Sequence, residues 1–385
     1  MNNIDKLIKE LCPNGVEYKE LGEICDFQNG FAFKSSLFEN KGLPILRITN
    51  IKDKFIDEKS LKYFDEKNYK TDLTQFKVIN GDILIAMSGA TTGKIGQVKD
   101  NQEFYINQRV GKFEPKSKIL VNNYLFHFLL TKLNFLHNLG GGGAQPNLSS
   151  NKLMKSLKIP LPHIKIQTKI VEILDNFTDL DTNLKQELEN RKKQYEHYRE
   201  QLLCFDNSVE ITTLDKISKN LDSKRKPVTR SARDKGKYPY YGASGIVDYV
   251  SDYIFDGNYL LISEDGANLL VRKTPIAFPA TGKTWVNNHA HILEFDELIS
   301  QRFIEIYLNS IDLTPYITGA AQPKLNKTNM NTIKIPFPKF EIRKDIVSKI
   351  DQFDKLINNL QNEIKLRHKQ YESYREMLLN FKRLN

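Results

Sequence analysis

Two stretches of this chain space their apolar residues in the same way. Ile166, Ile170, Ile173, Phe177, Leu180, Leu184 and Leu188 follow one another at steps of three and four. Ile342, Ile346, Ile350, Phe353, Ile357, Leu360 and Ile364 do the same. That is the period of a helix with one apolar stripe, close to a heptad. No glycine or proline interrupts residues 164–205 or 340–381, and Pro162 and Pro338 stand just before the starts, where proline is tolerated. The spacing predicts two helices of about 40 residues, ~60 Å long at 1.5 Å per residue. A narrow apolar stripe needs covering, and the best cover is the other copy, so a helix pair is expected.

Elsewhere the apolar runs are short and broken by turn residues. VINGDILIAMSGATTGKIGQV predicts a turn, a strand, a glycine-rich turn and another strand. FDGNYLLISEDGANLLVRK reads on the same plan, with Asp256-Gly257 and Asp265-Gly266 as the turns. YINQRVGKF (105–113) parallels WVNNHAHIL (285–293), both read as strands, and the apolar helices YLFHFLLTKL and RFIEIYLNSI follow. The pattern predicts a mixed α/β protein of two domains, residues 1–162 and 206–338, followed by helices at 163–205 and 339–385.

The two halves are copies. RKKQYEHYREQLLCF (191–205) and RHKQYESYREMLLNF (367–381) agree at eleven of fifteen positions, which marks a true internal repeat. The phrase GAQPNL (143–148) returns as AAQPKL (320–325), and Ile159, Pro160 and Pro162 return as Ile335, Pro336 and Pro338. The start of the chain, LIKELCPNGVEYKELGEIC, resembles the end of the first helix with the segment after it. It reads as the stump of a third repeat helix, which fits two domains related by a pseudo-twofold axis. The domains between the helices share an order of elements but few side chains. Two related but different readers on matching mounts suit two different short segments of a linear polymer.

Composition narrows the partner. Lys plus Arg number 57 against 47 Asp plus Glu, a net charge of +10, which favours a polyanion such as nucleic acid. Cys12, Cys25 and Cys204 form no CxxC pair and read as reduced thiols of a cytoplasmic protein. No apolar run approaches the ~20 residues of a membrane span, and MNNIDKLIKELC lacks the apolar core of a signal peptide.

Taken together, ELCPNGVEYKELGEI, GDILIAMSGATTGK and the two AQP…IPxP segments followed by long helices carry a family resemblance. Over essentially its whole length the chain resembles the specificity subunit of type I restriction–modification systems. The resemblance implies two target-recognition domains, each reading one part of a split site in double-stranded DNA, with antiparallel coiled-coil helices measuring the gap. It also implies docking of two methyltransferase (M) subunits, with endonuclease (R) subunits joining the complex. Such a subunit has no catalysis of its own; S-adenosylmethionine and ATP belong to the partners. In one departure, Gln167 keeps the family residue while Arg343 stands at the repeated position, so the two mounts differ chemically.

The residues agree that no catalytic site is encoded. No proline is followed by proline or aspartate, which removes the Pro-Pro loop of an adenine methyltransferase and the Pro-Asp of a common nuclease core. SGATTGK has its glycines too close for a phosphate-binding loop, and Gly140–Gly143 reads as a hinge. His289 and His291 lack a third ligand at a metal spacing, so no metal is expected.

DNA contact has candidates. Residues 219–237 hold eight basic residues and two acids. Lys224, Arg225, Lys226, Arg230 and Arg233 are read there as phosphate neutralisers, which give affinity and salt sensitivity without a sequence code. Planar amides and guanidinium groups address base edges, which singles out Asn107, Gln108 and Arg109 in the first domain and Asn287, Asn288 and His289 in the second. Lys94 and Lys283, both after Thr-Gly, are matching candidates on turns. Arg47 and Asn50 suit either a structural or a reading role. Gln145 and Gln322 suit either the joint between domain and helix or a DNA contact. The rival reading is a coiled-coil scaffold with two protein-binding domains and no DNA specificity.

Overall fold

A computed structural model describes residues 2–141, 146–319 and 321–384. Its contacts divide into two compact units, Met1–Leu184 with Glu363–Asn385, and Lys185–Asn362. Each unit contains one α/β domain and a segment of both long helices.

The two domains share a sheet. In the first unit the strand order is Cys25–Asn29, Val110–Pro115, Ile83–Ala86, Ile95–Gln97 and Lys54–Phe55. The first three pairings are antiparallel and the last is parallel. In the second unit Lys219–Asn220, Ala290–Glu294, Phe255–Ser263, Ala277–Val286 and Lys235–Gly242 repeat that order and those directions. The duplication therefore runs through five strands whose sequences barely match. Differences lie at the periphery. The second sheet gains a sixth strand, Gly245–Val250, by a hairpin, whereas the first domain adds a separate four-stranded sheet.

Apolar runs fix the centre of each domain. Ile83–Ala86 is buried at every residue, as is Tyr124–Leu130 of the helix Asn122–Leu130. Leu298–Ser310 is the matching helix of the second domain. Two readings from turn chemistry are corrected. Asp256-Gly257 lies inside the strand Phe255–Ser263, because that strand pairs with Ala277–Val286 along almost its whole length; continuous pairing overrides local turn preference. After Asp265-Gly266 comes a short helix, Asn268–Val271, and not a strand.

The long helices run Ile164–Leu202 and Phe340–Leu378, 39 residues each, stopping three residues before the predicted ends. Within the first unit Phe177 packs on Tyr371 and Tyr374, at 6.4 and 5.3 Å between ring centres. Within the second, Phe353 packs on Tyr195 and Tyr198, at 6.3 and 5.5 Å. Phe353 is the repeat counterpart of Phe177, and Tyr195 and Tyr198 are those of Tyr371 and Tyr374. One aromatic clasp is thus built twice. In each, an early residue of one helix meets late residues of the other, which is antiparallel order.

Each domain is fastened to its helices by matching polar contacts. Gln167 is fully buried: its Oε1 accepts from Val121 N–H at 2.9 Å, and its Nε2 donates to the Ile119 and Pro162 carbonyls, both at 2.9 Å. At the repeated position Arg343 donates to the Pro338 carbonyl at 2.6 Å and to Glu297 and Ser300 at 3.0 and 3.2 Å, stacked over Phe337. The chemistry differs, as the sequence indicates, but both side chains bind the IPxP carbonyl and the start of the domain's apolar helix. About two turns on, His127 Nε2 lies 2.8 Å from Asp175, and its Nδ1 lies 3.1 Å from the Tyr371 hydroxyl. Burial holds this histidine below its ordinary pKa, against the pull of Asp175, so a neutral ring donates to Asp175 and accepts from Tyr371. In the second unit Arg302 grips Asp351, the counterpart of Asp175, at 2.8 Å.

The chain ends meet within the first unit. Val16 N–H donates to the Lys382 carbonyl at 2.9 Å, and Leu384 N–H to the Val16 carbonyl at 3.0 Å. Ile4 of the N-terminal helix joins the same core as Leu378, Leu379 and Phe381. Replacing Gln167 with alanine strands one buried N–H and two carbonyls, so Q167A should lower the unfolding free energy by about 1–3 kcal/mol. Urea denaturation measures it.

Candidate nucleic-acid interface

Each domain has a corner where three segments far apart in sequence are joined by backbone hydrogen bonds. In the first, Met87 N–H donates to the Arg109 carbonyl at 2.8 Å, Leu148 N–H to Met87 at 2.7 Å, and Gly89 N–H to Pro146 at 2.9 Å. In the second, Glu264 N–H donates to His289 at 2.9 Å, Leu325 N–H to Glu264 at 2.8 Å, and Gly266 N–H to Pro323 at 3.0 Å. Every bond has its counterpart. Gly89 and Gly266 adopt positive φ, 75° and 106°, a region glycine enters without steric cost. The repeated AQPxL phrase is thereby explained: its proline carbonyl and leucine N–H lace the corner together, while Leu148 and Leu325 are buried. Gln145 lies outside the described residues, as do Ala144 and, of the expected hinge, Gly142 and Gly143. Gln322 is exposed beside Pro323.

On this shared frame the side chains differ. The first corner is a cleft lined by Ser88, Arg109 and Asn147. Arg109 is exposed and makes no ion pair among the described residues, and the buried Ser88 Oγ lacks a partner. The second corner places Asp265, His289 and Lys324 at the equivalent positions. His289 Nδ1 lies 2.8 Å from Asp265, and Lys324 Nζ lies 3.1 Å from Glu264. Sequence reasoning missed Ser88, Asn147, Asp265 and Lys324. The available signal was their place in repeated phrases, the residue before Gly89 or Gly266 and the residue after the proline of AQP.

The structure sorts the sequence candidates. Asn107–Arg109 and Asn287–His289 sit on turns between strands rather than in them, because Val110 and Ala290 begin the next strands. Gln108, Arg109, Asn288 and His289 are exposed and Asn107 is half-buried. Asn287 is corrected to a structural residue: it is buried, and its Oδ1 accepts from His289 N–H at 2.8 Å. Asn50 is likewise corrected. It is 2% exposed, accepts from Arg47 N–H at 3.0 Å and donates to the Asp57 carbonyl at 2.9 Å. Arg47 is half-buried and reaches the Ser60 carbonyl at 3.3 Å. Lys94, at the end of a turn, lies 3.8 Å from Asp53. Lys283 stands in the strand Ala277–Val286 rather than on a turn, 4.5 Å over the Tyr253 ring.

The basic run divides in two. Lys224, Lys226 and Arg230 are exposed. Arg225 and Arg233 are half-buried and held by acids. Arg233 pairs with Asp248 at 3.2 Å and covers Tyr240. Arg225 donates to Glu264 at 2.6 Å and to the Ala290 carbonyl at 2.8 Å, and approaches Asp222 at 3.4 Å. Trp285 Nε1 donates to the Lys226 carbonyl at 2.6 Å, pinning the loop to the sheet.

Asp222, Glu264 and His291 gather closely enough to hold a cation, a grouping the sequence concealed. Each ligand is already engaged. His291 Nδ1 faces Asp222 at 2.6 Å and its Nε2 faces the Leu325 carbonyl at 2.8 Å. Both ring nitrogens are thus already engaged by protein oxygens, and Arg225 brings a positive charge to the two carboxylates. Burial raises both carboxyl groups, but His291 beside Asp222 and Arg225 beside Glu264 more than offset it and hold both below their ordinary values of 3.8 and 4.5. The cluster locks the AQPxL segment to the sheet.

Two copies of one corner, on one frame and with different exposed donors, define a duplicated α/β protein with two non-identical binding domains on paired helices. Residues 13–190 and 208–366 match the type I restriction modification DNA specificity domain. The specificity subunit of the EcoprrI type I restriction enzyme of Escherichia coli is 31% identical over 386 residues, 94% of this chain and 93% of its own length. A type I specificity subunit of Haemophilus influenzae is 37% identical over 187 residues, 46% of this chain, and the match spans about half of that relative, 48%. The crystal structure of the type I restriction-modification S subunit from M. genitalium shares the fold, with a TM-score of 0.63 at 15% identity over 95% of this chain and 96% of its own. The chain belongs to the type I restriction–modification specificity family. Specificity subunits are the non-catalytic members of these systems.

Arg225→Ala removes the cation between two buried carboxylates and should cost about 3–5 kcal/mol, whereas Arg109→Ala and His289→Ala should cost no more than about 0.5 kcal/mol. The pH dependence carries a sign. Asp222 and Glu264 titrate below their unfolded values, so their contribution is complete above about pH 4.5 and is lost as pH falls through the lower folded values. Acid unfolding monitored by circular dichroism should therefore show a shallower loss in R225A than in the parent chain.

Proposed function

We propose that this chain is the sequence-reading subunit of a type I restriction–modification complex, acting in the cytoplasm on double-stranded DNA. Its two target-recognition domains read the two parts of a split, asymmetric site. The paired helices fix the gap and dock two methyltransferase subunits, and endonuclease subunits join through that complex. S-adenosylmethionine and ATP are bound by those partners. The observation that carries this reading is the duplicated corner: an identical backbone lattice presents Ser88, Arg109 and Asn147 in one domain and Asp265, His289 and Lys324 in the other. A guanidinium in the first can address two atoms of a guanine edge. The exposed Lys224, Lys226 and Arg230 supply the sequence-independent phosphate attraction.

Three outcomes are expected of the chain assembled with its methyltransferase partner. Binding to the cognate duplex falls steeply with rising salt; a salt-independent complex would favour the protein scaffold. Arg109→Ala weakens binding by roughly 5- to 100-fold and relaxes specificity in one part of the site, and His289→Ala does so in the other. Removing four residues, about one turn, from both long helices shortens the permitted gap. Gel shifts against a duplex library and methylome sequencing read these outcomes, and an unchanged gap would separate the helices from that role.

A further inference from the structure

The second unit contains a cleft of about 380 Å³ away from the corner, walled by Tyr195 and Arg199 of the first long helix, Arg272 and Lys273 of the segment after Asn268–Val271, and Arg302 with Asp354. Arg302 is saturated by Asp351, Glu305 and Asp354. The other three cations have weaker company: Arg199 lies over the Tyr195 ring at 5.3 Å, and Asp312 acts on Arg272 from beyond ion-pair distance. No carboxylate among the described residues pairs with Arg199, Arg272 or Lys273. The Nη2 of Arg272 and the Nε of Arg199 are both buried without a hydrogen-bond partner. An unpaired buried donor is costly, and two belonging to cations in one cleft point to an absent acceptor.

The backbone supports this. Arg272 is held at φ 51°, ψ 40° at the end of its helix, a left-handed position where glycine is usual and other residues are strained. Burial also depresses the Arg272 guanidinium from its ordinary value, opposed by Asp312. The segment has no counterpart in the first domain, where a shorter connection joins the equivalent strands.

We infer that this cleft binds a phosphate-class oxyanion, with Arg272 and Arg199 as its donors and Lys273 at its rim. A phosphate oxygen accepts from a guanidinium fork with good geometry, and the cleft is large enough for a phosphate ester. Such a group can come from a free phosphate compound or from a DNA phosphodiester.

The test uses the full chain and Arg272→Gly, a variant that removes the cation while relieving the backbone, so its fold is preserved. Inorganic phosphate or pyrophosphate at millimolar concentration should raise the unfolding midpoint of the parent chain by about 2 °C over sodium chloride of equal ionic strength. R272G should lose that shift. An equal shift in R272G, no shift in the parent, or the same shift in chloride would overturn the inference. The source is read from a random-sequence duplex. A salt slope in R272G reduced by about 1 assigns the cleft to the DNA backbone, and an unchanged slope assigns it to a free ligand. The phosphate shift does not depend on the DNA-reading function, so failure of one leaves the other standing.

Discussion

The aromatic clasp between the long helices is the constraint on which the rest depends. Phe177 needs Tyr371 and Tyr374, which lie nearly two hundred residues away, and Phe353 needs Tyr195 and Tyr198. The first domain's core is completed by Ile166, Ile170 and Leu174 from one helix, by Tyr371 and Leu378 from the other, and by Leu379 just beyond it. Each apolar side chain fully buried in this way contributes about 1.5–3 kcal/mol. The core of the first unit is therefore incomplete without the second long helix. Val16, bonded on both sides to residues 382–384, carries the same dependence. Neither domain is an independent bead on a rod; each core is shared with the helix pair.

That sharing explains why the helices keep their sequence while the domains drift. A change at Tyr371 disturbs Phe177, His127 and the Arg375 that covers its ring together. At the corners the frame is made of backbone groups, which must be paired whatever their side chains. Met87 and Glu264 occupy equivalent places with identical N–H and carbonyl bonds, although one is apolar and the other acidic. What the frame requires is narrow: glycine at 89 and 266, proline at 146 and 323, leucine at 148 and 325. The positions between them are free to carry recognition chemistry.

The long helices were legible because their period and their repetition are local properties, and each lies within three residues of its predicted end. The repeated Gln and Arg positions were legible as a difference but not as a shared task, since Val121, Pro162, Glu297 and Pro338 are recognised as partners only once folded. The strand after Asp256-Gly257 is expected from the sequence, but its first residues, Phe255–Gly257, read as a turn because their partner, Ala277–Val286, lies further along the chain. The same limit governed the candidate site. Asn-Gln-Arg and Asn-Asn-His were visible as paired phrases, yet only the turn separates Asn287, folded back on His289, from the exposed Asn288 beside it.

Charge shows most clearly what composition cannot resolve. Eight basic residues in residues 219–237 look like one surface, but Arg225 and Arg233 are enclosed by Asp222, Glu264 and Asp248. Their positive charge is compensated inside the domain, and they serve to hold the loop that displays Lys224, Lys226 and Arg230. Likewise Lys324 and His289 face carboxylates, while Arg109 in the other corner faces none among the described residues. Under the proposed function, a polyanion would meet the second corner through side chains already held by acids, and the first through a guanidinium with no ion pair among the described residues. Paired donors are ordered in advance, which lowers the entropy lost on binding, but each must share its charge with a fixed acid. A free arginine gives up more entropy and keeps its whole charge for the ligand. On that reading the two domains would differ in how they reach their affinity as well as in which side chains they present, and net charge alone contains neither distinction.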